Sequence, residues 1–150
     1  MNHTLDTRQF LDTVVSLLRE GKTSIPIPVA GTSMTPFLDP GDTVYLDLLT
    51  QPPKQGDILL FTRPQGDYVL HRVAGVDPDG TLQMLGDGQG VLEPLTDPSR
   101  IHAIVTAARY HGKLLRPGDF RWEYYRTFWL TAKPIRPKLI RIRNFFRRNP

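Results

Sequence analysis

The chain has 150 residues, 39% of them hydrophobic, with 19 Lys/Arg against 15 Asp/Glu and no cysteine. That length and apolar content fit one domain with a sizeable core, while the missing cysteines exclude disulfides, thiolate metal sites and a cysteine nucleophile. No apolar run approaches the roughly 20 residues that span a bilayer, and the N-terminal stretch lacks a signal peptide's basic-then-apolar pattern, so a soluble or surface-bound protein of the cytoplasm is expected.

The first predicted element is a helix. "DTRQFLDTVVSLLREGKT" sets Phe10, Val14, Leu17 and Leu18 at helical spacing, and Gly21 supplies the stop. From Ser24 the period changes to two. Ile25, Ile27 and Val29 alternate with polar or proline positions, and Pro26 and Pro28 suit an edge strand. The turn "DPGD" at 39–42 precedes a series of short β-like runs: "TVYLDL", "DILLFT", "DYVLHRVAGV", "TLQML" and "IHAIVTAARY". Gly-Asp pairs introduce three of these, so Asp42, Asp57 and Asp67 read as turn aspartates. Several short strands separated by turns predict an antiparallel sheet or partly open barrel, mostly β within an α+β class.

After Gly118 the character shifts. "FRWEYYRTFWLTAK" spaces Trp122, Tyr125, Trp129 and Ala132 as a helix would, and "KPIRPKLIRIRNFFRRNP" follows with seven Lys/Arg and no acid. Residues 1–108 hold 7 Lys/Arg against 13 Asp/Glu, and residues 109–150 hold 12 against 2, an acidic body with a basic tail. The expected organisation is a helix over 1–23, a β domain over 24–117 and a basic amphipathic appendage over 118–150. In the tail a helix starting at Pro137 would align Leu139, Ile142 and Phe146. About twelve residues at 1.5 Å rise are too short to cross a bilayer, so peripheral binding to an anionic membrane surface is the expectation. Packing of that face on the sheet is the alternative.

Three segments carry chemistry. "GTSMTP" offers Ser33, "YVLHRV" offers His71, and "LGDGQGVLEP" offers Asp87 and Glu93. A serine hydroxyl is a poor nucleophile until a base takes its proton, and neutral imidazole suits that task. A carboxylate can then fix the ring and stabilise the imidazolium. Read alone, Ser33 is equally a turn residue and His71 a satisfied core histidine. His3, His102 and His111 show no ligand spacing, so no metal and no cofactor are expected.

Taken in series, these boxes resemble the S24/S26 serine peptidase superfamily, which includes signal peptidases and LexA-type self-cleaving repressors. The nucleophile box is matched by Gly31-Thr32-Ser33-Met34-Thr35-Pro36, and the later G-D box by Leu85-Gly86-Asp87-Gly88. Gly41-Asp42 and Gly56-Asp57 match the intervening G-D pairs. His71-Arg72-Val73 stands where bacterial signal peptidases carry a lysine base, and looks like the archaeal and endoplasmic-reticulum Ser–His type. The resemblance covers about residues 24–112. It implies a Ser33–His71 pair assisted by Asp87, or alternatively Glu93. It also implies an oxyanion and substrate-positioning loop of Gly31, Thr32 and Met34, and a protein substrate bound as an added strand. Gly31 stands where many signal peptidases place a serine, so the oxyanion hole would rest on backbone N–H groups. Only one helix precedes Ser33, which makes a DNA-binding repressor a poor fit. An inactive strand-binding module, or a nucleic-acid binder acting through the tail, are the rival readings. Oligomeric state is left open.

Overall fold

The computed structural model describes residues 3–131. Helix α1 (His3–Arg19) buries Val14, Val15 and Leu18, with Leu11 packed beside them, a stripe at i, i+3, i+4 and i+7. That stripe is rotated from the one expected, because Phe10 points outward and is 46% exposed. The helix stops as expected. The N–H groups of Gly21 and Lys22 turn back to the carbonyls of Leu18 and Leu17, both at 3.1 Å.

Eight antiparallel strands follow: β1 (Ile25–Pro28), β2 (Thr43–Asp47), β3 (Ile58–Thr62), β4 (Tyr68–Val76), β5 (Leu82–Leu85), β6 (Glu93–Leu95), β7 (Ile101–Tyr110) and β8 (Lys113–Leu115). They form one open sheet in the order β1-β2-β7-β3-β4-β5-β6, with β8 paired to β7. The proline-rich β1 lies at an edge, where missing N–H groups break no ladder. Strand β3 is central and its "ILLF" run is buried on both faces. Ile58 and Leu60 join the larger core with α1, β1, β2 and β7, while Leu59 and Phe61 join a second cluster with Val69, Val73, Leu82, Met84 and Leu95.

Two features of this sheet position the site. The residues after β1, at one end of the strand order, touch those after β5 near the other end, where the Gly88 N–H donates to the Ser33 carbonyl at 2.9 Å. Strand β4 is also paired unequally. Its residues Tyr68–Arg72 pair with β3, but β5 takes up only Arg72–Val76 on the other side. Among the described residues no strand pairs with Tyr68–His71 along that second edge.

Helices α2 (Phe120–Arg126) and α3 (Phe128–Thr131) do not behave as an appendage. Trp122, Tyr125 and Trp129 are buried in the main core, and Phe37 packs against Trp122 and Tyr125 at ring distances of 5.7 and 5.3 Å. The expected boundary at residue 118 is therefore no boundary in packing. No helix among the described residues is long and apolar enough to cross a membrane. The predicted tail helix from Pro137 lies outside the described residues.

Candidate functional site

Ser33 sits in the turn between β1 and β2, and its position is set by two glycines. A Cβ on Gly86 would stand 2.6 Å from the Ser33 carbonyl oxygen, and one on Gly88 would stand 2.7 Å from that of Thr35 and 2.9 Å from that of Thr32. Those are backbone atoms that cannot swing aside, so the two loops pack this closely only because both residues lack side chains. Among the described residues nothing accepts the Ser33 N–H, which stays available as a donor.

Between the glycines, Asp87 is fully buried, and both of its carboxylate oxygens are taken by Arg72, from Nε and Nη2, each at 2.8 Å. Arg72 is 1% exposed; its Nη1 donates to the Gly56 carbonyl at 3.0 Å and its guanidinium lies 4.9 Å over the Phe37 ring. A charge buried this deeply persists only with a bidentate partner and its remaining donors satisfied, as here. The role expected for Asp87 is thus corrected. It holds Arg72 rather than the imidazole, because the two side chains leave β4 on opposite faces.

His71 points to the second apolar cluster. Its ring meets the Phe61 ring edge-on at 6.2 Å, it is 4% exposed, and its Nδ1 is buried with no hydrogen-bond partner among the described residues. Burial pushes its pKa below the ordinary value; Glu93 pulls it back, Arg63 lowers it further and Asp87 raises it. Glu93, the other candidate acid, is bound by Arg63, whose Nε lies 2.9 and 3.1 Å from its two oxygens. Neither carboxylate reaches the His71 ring as a hydrogen-bond acceptor, so both act on it through space.

The structure brings Ser33 and His71 to the same region without joining them. Arg72, the residue after His71, pairs with Leu85 across β4 and β5, and Gly86 is the residue after Leu85. Gly86 is the residue against which the Ser33 carbonyl rests. Ser33 and His71 make no hydrogen bond to one another. Such contacts often tighten only when substrate is bound. Of the remaining predicted positions, Gly31 holds a left-handed φ of 69°, Thr32 accepts the Thr35 N–H at 3.1 Å, and Met34 is 1% exposed in the main core. Met34 therefore packs the loop from beneath and offers no atom to a substrate.

Sequence reasoning missed the residues that clamp this loop. Arg121 of α2 donates to the carbonyls of Pro36 and Phe37 and lies 3.7 Å over the Tyr110 ring. Trp129 of α3 donates its indole N–H to the Asp87 carbonyl at 2.8 Å. One signal did exist: Arg72 interrupts an apolar strand, and a buried cation must have a buried acid. The fold also gathers Asp39, Asp42 and His111, whose ligand atoms lie within 4.8 Å of one another. Both Asp42 oxygens accept backbone N–H groups, from Asp39 at 2.8 Å and His111 at 2.9 Å, and His111 Nε2 lies 2.8 Å from Asp39 Oδ2. This group ties the β1–β2 turn to the β7–β8 turn. No family model, curated protein or solved structure matches the chain.

Proposed function

We propose that this protein is a serine endopeptidase that cuts an extended segment of a partner protein, with Ser33 as nucleophile and His71 as general base. One observation carries the reading. A buried imidazole with an unpartnered ring nitrogen stands on the strand beside the loop that fixes Ser33, and buried polar atoms are rarely left unpaired without a use. The supporting context is the ordered series of peptidase-like boxes over about residues 24–112.

In this mechanism Ser33 Oγ attacks the scissile carbonyl as His71 takes its proton, and the imidazolium returns that proton to the leaving amine. The unengaged Ser33 N–H is a donor for the oxyanion. Burial disfavours the imidazolium, and Glu93 and Asp87 oppose that through space rather than by a bonded carboxylate. The unpaired β4 edge at Tyr68–His71 would accept the substrate as an added strand, with main-chain bonds running up to the base. A cytoplasmic setting, at the membrane surface or away from it, goes with this reading.

The missing Ser33–His71 hydrogen bond favours a second reading, in which the same edge binds a strand without cutting it. A fluorophosphonate probe tests the two. Labelling of the intact protein, lost in Ser33→Ala and in His71→Ala, supports the peptidase. Absence of labelling in a folded protein leaves the strand-binding module.

A further inference from the structure

Strands β2, β7 and β8 carry a second group of polar side chains, on the face turned away from the main core. Tyr45 pairs with Ala107 across β2 and β7, and Arg109 pairs with Leu114 across β7 and β8. Ala107 and Arg109 are two residues apart on one strand, so all four side chains leave the same face. The alternate residues Val44, Ala108 and Leu115 go to the core. Ser24, just before β1, and Arg116, just after β8, complete a cleft of about 430 Å³ over this face. That volume falls among small-molecule sites and exceeds what one inorganic anion fills. Neither Ser33 nor His71 lines it, nor does any residue of the loops that hold Ser33.

The charge of this cleft is one-sided. Arg109 and Arg116 line it, and no acid does. Among the described residues no carboxylate stands within ion-pair distance of either guanidinium. The acids on the adjoining chain are engaged by neutral donors instead. Asp47 accepts from the Ser24 N–H at 2.8 Å and the Thr106 hydroxyl at 2.6 Å, and Asp119 accepts the Arg116 N–H at 2.7 Å. Arg109 is also held in place. Its Nε donates to the Tyr45 hydroxyl at 3.3 Å and its Nη1 to the Gly112 carbonyl at 3.0 Å, which leaves Nη2 for a ligand. Thr106, which lines the same cleft, is the extra residue of a β-bulge, because Val105 and Ala107 on either side of it pair with the consecutive Leu46 and Tyr45. Bulges re-aim side chains and recur beside binding sites.

Two guanidinium groups without a counter-charge match the two charges of a phosphate monoester, whereas a carboxylate would answer only one of them. Tyr45, Ala107 and Leu114 give the cleft an aromatic and apolar floor for the organic part. We propose that this cleft binds a phosphate monoester carried on an aromatic group, with Arg109 and Arg116 on the phosphate and Tyr45 against the ring. A free small molecule and a phosphorylated tyrosine of a partner both present that chemistry. The proposal stands apart from the peptidase reading and does not depend on it.

The test is an NMR titration of the isotopically labelled full chain with phenyl phosphate, adenosine monophosphate, a phosphotyrosine tripeptide and neutral adenosine. Saturable shifts of the Tyr45, Thr106 and Arg109 amides are expected with the phosphates and none with adenosine, and binding should weaken as salt rises. Arg109→Gln and Arg116→Gln should each weaken binding about tenfold. Both positions are exposed, and the Arg116 side chain holds nothing in the fold among the described residues, so melting should hardly move in Arg116→Gln. Tighter binding of the tripeptide than of the mononucleotide assigns the monoester to a protein side chain, and the reverse order assigns it to a free small molecule. The proposal is overturned if no phosphate gives saturable shifts at these amides, if adenosine binds as well as its monophosphate, or if Arg116→Gln binds as the unaltered protein does.

Discussion

Around Ser33 the chain is gripped by hydrogen bonds from several elements, whereas the ring of His71 is held by apolar contact alone. Gly88, Arg121 and Trp129 donate to carbonyls of the two site loops, and the buried Arg72–Asp87 pair ties the second loop to β4. On the other face of β4, Phe61 and the cluster with Val69 and Val73 surround an imidazole whose Nδ1 has no partner. Under the proposed mechanism the difference follows what each group would need. A nucleophile must be placed to within a fraction of an ångström, which directional bonds do well. A base must stay uncharged until it acts, which an apolar wall does well.

The largest expected effects fall on Ser33 and His71, the two groups proposed to react. Ser33→Ala and His71→Ala should each lower peptide cleavage by roughly 10⁴-fold or more, and the double variant should be scarcely worse than either. Ser33→Ala removes no hydrogen bond that holds the fold and should hardly move thermal melting, whereas His71→Ala opens a cavity beside Phe61 and should lower it by several degrees, so its rates are read well below the melting temperature. Steady-state rates and melting curves measured on the same preparations decide it. Additive losses, or undiminished cleavage by Ser33→Ala, would mean that the pair does not act as a unit.

Next in size is the contrast between the two carboxylates. Asp87→Ala leaves the Arg72 guanidinium buried and unpaired and should destabilise the protein by about 3–5 kcal/mol. Glu93→Ala breaks a pair whose side chains are about a third exposed and should destabilise by less than about 1 kcal/mol. Denaturant melts of both variants test this. A catalytic orienter would show the opposite pattern at Asp87, with activity lost and stability kept.

How much of this was legible beforehand depended on length and on pairing distance. The five longer runs, such as "DILLFT" and "IHAIVTAARY", appear as strands because alternation or continuous apolar character has room to show. β6 and β8 were missed because three residues, Glu93–Leu95 and Lys113–Leu115, are too few to carry a period. The α1 stripe was rotated because Leu11 and Val15 satisfy the spacing as well as Phe10 and Leu17 do, and only the sheet beneath decides between them. Ser33 and His71 could be named from their local boxes. The roles of Asp87, Arg121 and Trp129 could not, since each is fixed by a contact 15, 84 or 42 residues away in the chain.

The clamp from α2 and α3 should have a smaller effect. Trp129→Phe keeps an aromatic ring in the core but removes the donor to the Asp87 carbonyl. It should cost about 1 kcal/mol, or a few degrees in melting temperature for a chain of this length. Its effect on cleavage should exceed what that loss of stability explains, because the loop it releases is the one on which Ser33 rests. Gly88→Ala should act in the same sense and more strongly, by pushing the Thr32 and Thr35 carbonyls away. If both variants melt lower but cleave normally well below their melting temperatures, the clamp is structural only.

The smallest expected effect is in pH. An unperturbed imidazole, with its ordinary pKa of about 6.5, would place the rise in activity near pH 6 to 7. Burial lowers the His71 value, with Arg63 adding to that and Glu93 and Asp87 opposing it, so the rising limb of the rate should lie below about pH 6.5. The same shift affects stability. Between the lowered native pKa and the unfolded value the unfolded chain binds the extra proton, so stability rises with pH through that window. The contribution is complete above about pH 6.5 and is lost as pH falls through the native pKa. His102 is lowered for the same main reason, burial, with Arg19 contributing and Asp12 opposing, so it adds a loss of the same sign. Melting temperatures from pH 5 to 8 should therefore decline on the acid side, and His71→Gln should flatten only part of that decline. Replacing His102 as well should remove most of the rest while leaving the limb of the rate profile in place. A limb that moves with His102, or one that climbs only above about pH 8, would mean that His71 is not the base.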